Sequence, residues 1–190
     1  MSMGRWLALI TFLSLSPFSA SARDLPTDLA GQSVDPFAAA KADVMVFVFL
    51  AEECPIANRY APRISRYANT YGAQGVSFWT VYADQELSVE RIRQHRSDYA
   101  FEMPALWDRG KWLVAKTGAQ VTPEVAVYRR KTSGSYELAY LGRIDDQYLD
   151  FGQWRREPQQ KDMEEVLDAL LQGESPTFRK TRAVGCYIGD

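Results

Sequence analysis

The chain reads as one α/β domain built on a central mixed sheet with helices on both faces. Val44 to Leu50 (VMVFVFL) is a seven-residue apolar run without polar alternation, the pattern of a strand covered on both sides. Strand and helix patterns then alternate twice, with the spacing of apolar residues switching between runs and three- or four-residue steps. The second half turns to two strands joined by a short polar link, followed by one amphipathic helix.

Length and composition agree with that class. At 190 residues, 46% hydrophobic and 24% charged, the chain suits a single domain with an ordinary core. Residues 1–22 have the form of a secretory signal peptide: Arg5 supplies a positive start, Trp6 to Leu15 is mostly apolar, and Ala20-Ser21-Ala22 has the small-x-small form of a cleavage site. The expected product is exported, periplasmic or secreted, and not embedded in a membrane, because no later stretch reaches about 18 apolar residues. The formal net charge of −2 gives no basic footprint for a phosphate backbone, so nucleic acid is excluded as a partner. Export places the two cysteines, Cys54 and Cys186, where disulfides persist.

Residues 23–43 carry Pro26 and Pro36 and read as an irregular lead-in with at most a short strand. From Pro55 the period is helical, with Ile56, Tyr60, Ile64, Tyr67 and Tyr71 on one face. Pro55 fits the first helical position, while Pro62 lies inside the helix and predicts a kink there. Gly72 and Gly75 close it, and Val76 to Ala83 forms a second buried strand. Ser88 caps the next helix, with Leu87 and Ile92 at the spacing of a hydrophobic staple. Met103 to Asp108 crosses back, and a short helix over Lys111 to Thr117 stops at Gly118.

Glu124 to Tyr128 and Leu138 to Ile144 read as a hairpin across the Arg129 to Ser135 link. Asp145 to Gln160 reads as a polar, aromatic-rich loop. In the last helix Asp162 is the expected cap, Glu165 completes a capping-box spacing, and Met163, Val166, Leu167, Leu170 and Leu171 form the buried stripe up to Gly173. The tail, residues 174–190, has no strong period and ends with Gly185-Cys186 near its terminus. The expected organisation is therefore a signal peptide (1–22), a lead-in (23–43), a domain (44–173) and a cysteine-bearing tail (174–190).

Cys54 stands where a buried strand hands over to a helix. Unpaired N–H groups and the partial positive charge of a helix N-terminus favour thiolate over thiol, so Cys54 is the candidate nucleophile. Glu52 and Glu53 oppose that tendency and read as part of a solvated loop. Arg59 and Arg63 lie too far along the helix to stand beside the thiol, and Arg143 reads as the partner of Asp145 or Asp146. His95, the single histidine, reads as a surface or boundary residue.

The element order looks like a thioredoxin fold over roughly residues 44–172. Val34-Asp35-Pro36-Phe37, Cys54-Pro55-Ile56-Ala57-Asn58, Tyr60-Ala61-Pro62, Thr122-Pro123-Glu124, Gly142-Arg143-Ile144-Asp145-Asp146 and Gly185-Cys186 together resemble exported redoxin-domain proteins near the peroxiredoxin-like AhpC/TSA group. The resemblance implies a thiol oxidoreductase with Cys54 at the first active-cysteine position. It also implies that Pro123 is the cis-proline facing it, with Pro55, Thr122 and Pro123 shaping a substrate groove.

Substrates would be a protein thiol or disulfide or a peroxide, with an external thiol as reductant and no cofactor. Ala57 stands where a thioredoxin has its second cysteine, so exchange within that motif is impossible. Ala51 and Phe47 replace the Thr or Ser and the Pro of typical peroxiredoxins. Cys186 is then either a resolving thiol or half of a structural disulfide to Cys54 in a non-catalytic binding domain. A Sco-like copper site would resemble two cysteines four residues apart plus a histidine, and Asn58 occupies the position the second cysteine would need. No metal ligand set is therefore assigned.

Overall fold

In a computed structural model residues 25–177 and 179–189 are described, and the proposed signal peptide lies outside them. The central sheet has five strands: β1 (Val44–Leu50), β2 (Ser77–Tyr82), β3 (Ala105–Trp107), β5 (Glu124–Arg130) and β6 (Tyr136–Gly142), in the order β3-β2-β1-β5-β6. β1 is parallel to β2 and antiparallel to β5, β2 is parallel to β3, and β5 and β6 form the antiparallel hairpin. This is the mixed sheet expected from the sequence.

All seven β1 residues are buried. Val44, Val46, Val48 and Leu50 face one core with Ile56, Tyr60, Ile64 and Tyr67 of α2 (Pro55–Gly72), Ile92 of α3 (Val89–Asp98) and Met163, Val166 and Leu167 of α5 (Asp162–Leu171). Met45, Phe47 and Phe49 face a second core with Leu113 of α4 (Trp112–Thr117) and Phe37 of α1 (Pro36–Ala39). Strand alternation thus feeds two cores, which is why β1 shows no amphipathic pattern. Gly118 ends α4 in the left-handed conformation at φ 79°, its N–H donating to the Val114 carbonyl. Ser88 caps α3 by accepting from the Arg91 N–H, and Leu87 and Ile92 are both buried.

Several expectations need correction. The lead-in contains a helical turn, because the Asp35 carboxylate accepts from the Phe37 and Ala38 N–H groups and Pro36 takes the first turn. That turn seats Phe37 against Phe47, Trp112, Tyr128 and Tyr136, with ring centroids 4.8–6.0 Å apart. The hairpin strands run closer to the turn than expected, since pairing extends to Arg130 and Tyr136. The 145–160 loop folds into a small hairpin of β7 (Tyr148–Asp150) and β8 (Gln153–Trp154).

Asp162 does not cap α5; Lys161 holds that position without a side-chain capping bond. The Asp162 carboxylate is instead drawn into a two-point pair with Arg143, at 2.8 and 3.1 Å. Arg143 therefore does not pair with Asp145 or Asp146. Asp145 is buried with Arg63 and the Tyr60 hydroxyl, and Asp146 pairs with Arg155 at 3.5 Å. α2 runs continuously through Pro62.

Candidate active site

The C-terminal end of the central strand β1 runs into a tight turn that delivers Cys54 to the start of α2. The Cys54 N–H donates to the Ala51 carbonyl at 3.1 Å, and Cys54 is itself the N-cap of α2, with Pro55 in the first turn. Its sulfur accepts from the Ala57 N–H at 3.5 Å, one of the donors a helix start leaves unpaired. The Cys54 thiol donates to the Thr122 carbonyl at 3.0 Å. Thr122–Pro123 is a cis peptide, so the proline implied by resemblance lies directly across from the cysteine.

The tail comes to the same place. β9 (Cys186–Tyr187) pairs antiparallel with β4 (Val121–Thr122), with Cys186 opposite Thr122. The Thr122 hydroxyl donates to the Cys186 carbonyl at 3.4 Å, and the Ile188 N–H to the Gln120 carbonyl at 2.9 Å. Upstream, Lys180 bridges Leu141 at the free edge of β6, and Thr181 hydrogen-bonds Tyr140 and the Arg143 N–H. Gly142 and Gly185 allow this course. A Cβ on Gly142 would overlap Thr181, and one on Gly185 would overlap the Thr122 carbonyl. The structure therefore brings together Cys54, Pro55, Thr122, Pro123 and Cys186.

The two thiols stand side by side, Cys54 on the Thr122 carbonyl and Cys186 on the strand paired with it, and they differ in acidity. Burial pushes the Cys54 thiol up, but donors from the Cys186 thiol, the Ala57 and Cys186 backbones and the Thr122 side chain outweigh it, leaving Cys54 more acidic than an ordinary thiol. Burial and the neighbouring Cys54 push Cys186 up to about 11. Ionisation of the pair therefore falls on Cys54. Both cysteines are in the free thiol form. Cys54 is 1% exposed, whereas Cys186 is half-buried.

Two features near the site were not read from the sequence. Arg91 on α3 pairs with both Glu52 and Glu53, so the carboxylates flanking Cys54 face a guanidinium, and Glu52 is half-buried rather than fully solvated. His95 is buried, not at the surface. The Tyr82 hydroxyl lies 2.9 Å from its Nδ1, and its Nε2 lies 2.9 Å from Asn58 Oδ1.

Asn58 Nδ2 donates to the Glu52 carbonyl at 2.8 Å. That acceptor orients the Asn58 amide, so Nε2 must be the donor and Nδ1 the acceptor from Tyr82. The chain of bonds ties α3 to the Cys54 turn and commits His95 away from the thiols. The only available signal was an i, i+3 placement of His95 beside Ile92 on the apolar face of α3. Among the described residues no group of three or more His, Cys, Asp or Glu could hold a metal ion, and no helix is long and apolar enough to cross a membrane.

Known structures share this architecture. An uncharacterized conserved protein from Geobacillus kaustophilus matches 89% of this chain and 90% of its own at 22% identity, with a TM-score of 0.73. A hypothetical protein from Sinorhizobium meliloti 1021 matches 87% of this chain and 90% of its own at 21% identity, with a TM-score of 0.72. A secreted Mycobacterium tuberculosis disulfide oxidoreductase homologous to E. coli DsbE matches 80% of this chain and 96% of its own at 18% identity, with a TM-score of 0.52. At these identities the likeness establishes the fold, which is thioredoxin-like. No curated protein sequence matches. Residues 18–133 match the AhpC/TSA family, a span that holds Cys54 and Thr122–Pro123 but not Cys186, and the chain belongs to that family.

Proposed function

We propose that this protein is an exported thiol-based oxidoreductase in which Cys54 is the attacking thiolate and Cys186 the resolving thiol. The observation that carries this reading is the convergence of the two cysteines on Thr122, Cys54 at a helix start with its thiol on the Thr122 carbonyl and Cys186 on the strand paired opposite Thr122. Membership of the AhpC/TSA family supports thiol chemistry in general. The groups that favour the Cys54 thiolate are hydrogen-bond donors, none of them a guanidinium. Together with Ala51 and Phe47 at the positions where typical peroxiredoxins carry Thr or Ser and Pro, this favours disulfide exchange over peroxide reduction.

The Cys54 thiolate attacks one sulfur of a substrate disulfide, forming a mixed disulfide and releasing the first substrate thiolate. Cys186 then gives up its proton and attacks the Cys54 sulfur, closing a Cys54–Cys186 disulfide and releasing the second substrate thiolate. Two electrons pass from the protein to the substrate, and an external thiol restores the dithiol. Pro55, Thr122 and Pro123 shape the groove at the reacting sulfur. Export rests on the N-terminal sequence, and a protein of like fold from M. tuberculosis is secreted.

The test compares the wild type with Cys54→Ser and Cys186→Ser in disulfide reduction and in peroxide consumption. Cys54→Ser should abolish disulfide reduction, and Cys186→Ser should trap the mixed disulfide for detection by mass. Unchanged activity of Cys54→Ser in both assays would refute the enzyme reading. A Cys54–Cys186 potential below about −300 mV would mark the bridge as structural instead.

A further inference from the structure

Cys54 is 1% exposed, and what covers it is the chain's own tail. β4 has a single strand partner among the described residues, β9, so without the tail its edge would be open beside the reactive sulfur. The tail lies there as an extended strand in a defined register. Val184 packs on the core that contains Cys54, Gly185 is buried on the Thr122 carbonyl, Cys186 meets Cys54, Tyr187 is 84% exposed, and Ile188 packs on the opposite core. The cleft continues beyond Tyr187 as a cavity of about 310 Å³ lined by Ala51, Asp84, Lys111, Thr122 and Ile188 among others.

Resting on the exchange reaction above, we propose that residues 184–188 are a built-in copy of the substrate. The partner is then an extended peptide segment in which glycine immediately precedes the reacting cysteine, apolar residues stand two positions to either side, and the residue after the cysteine is unrestricted.

Main-chain pairing to an open strand edge supplies binding, and pockets for alternate side chains supply selectivity. The glycine requirement is steric. At the position of Gly185 any Cβ would overlap the carbonyl carbon and oxygen of Thr122, which belong to the backbone of the cis peptide and cannot turn aside as a flexible side chain could. The residue at the position of Tyr187 points to solvent and meets no such limit. A partner must first displace the tail, which is held in the reduced protein only by non-covalent contacts.

The experiment uses the full chain carrying Cys186→Ser, which leaves Cys54 as the single thiol. Two peptides are offered as mixed disulfides with thionitrobenzoate: one with the sequence of residues 183–189, and the same peptide with alanine in place of its glycine. Attack by Cys54 forms the peptide–Cys54 disulfide and releases one thionitrobenzoate anion, read by absorbance. The glycine peptide should react about 10-fold or more faster than the alanine peptide.

Adding Gly185→Ala to the same chain should unseat the tail and accelerate both peptides while preserving their ratio. Equal rates for the two peptides overturn the proposal and leave the exchange reading intact. Failure of Cys54 to react with either peptide or with free dithionitrobenzoate, before and after Gly185→Ala, overturns both.

Discussion

Closing the Cys54–Cys186 disulfide should stabilise the fold strongly, and the size of the effect follows from topology. The two cysteines lie about 130 residues apart in sequence, so a cross-link removes about 5 kcal/mol of loop-closure entropy from the unfolded chain at 25 °C. The folded state gives up little in exchange. Both cysteines already sit at Thr122, and the tail is held there by the β4–β9 pair and by the Lys180–Leu141 bridge. The perturbation is oxidation of the wild type with a mild disulfide reagent, compared with the reduced wild type and with Cys186→Ser.

In urea, with a slope of about 2 kcal/mol/M, the midpoint of the oxidised form should lie about 2.5 M above the reduced form. Cys186→Ser should be insensitive to the oxidant. The same free energy should make the folded protein's disulfide about 100 mV more reducing than the pair in the unfolded chain. Coincident midpoints for the oxidised and reduced wild type would refute the reasoning, because they would mean that the thiols do not meet in the folded protein.

Other outcomes follow from the same contacts. In the reduced protein Cys54 ionises more easily folded than unfolded, so its stabilisation is present above the ordinary thiol value of 9.0 and is lost as pH falls through its lower folded value. Cys186 acts oppositely: its contribution is full below 9.0 and is lost as pH rises through about 11. Urea midpoints between pH 7 and 11 should therefore rise and then fall, and Cys54→Ser should remove the rising part.

Asp145→Ala strips Arg63, the Tyr60 hydroxyl and the Gln147 N–H of a buried acceptor and should cost about 3 kcal/mol by urea unfolding. His95→Phe breaks the Tyr82–His95–Asn58 chain and leaves buried polar groups unpaired, costing about 2 kcal/mol. It should also change the alkylation rate of Cys54 in Gly185→Ala, because the Asn58 amide that donates to the Glu52 carbonyl loses the His95 bond that holds it. Phe37→Ala should cost about 2 kcal/mol, showing that the lead-in belongs to the folded domain.

Local readings succeeded where neighbours in sequence are also the neighbours that matter. The Ser88 cap and the Gly118 stop are decided within one turn of chain, and the double-sided burial of Val44–Leu50 is written in its own side chains. They failed where a remote residue outbid the local one. Asp162 has a capping-box spacing, yet Arg143, 19 residues earlier, takes its carboxylate. His95 sits on a strongly charged helix, and only the approach of Tyr82 and Asn58 from other elements makes it a buried link. Arg91 could not be assigned to the Cys54 turn because Glu52 lies 39 residues away.

By itself the sequence determined the mixed α/β architecture, the place of Cys54 at a strand-to-helix junction and the lack of a local partner at Ala57. Hydrophobic period, turn residues and helix-start chemistry are local properties and suffice for those conclusions. The tertiary structure alone decided that Cys186 lies beside Cys54, across the Thr122 strand. The tail has no period of its own, and its course is set by an open edge on β6, an open edge on β4 and the clearance that Gly142 and Gly185 leave over backbone and side-chain atoms far away in the chain.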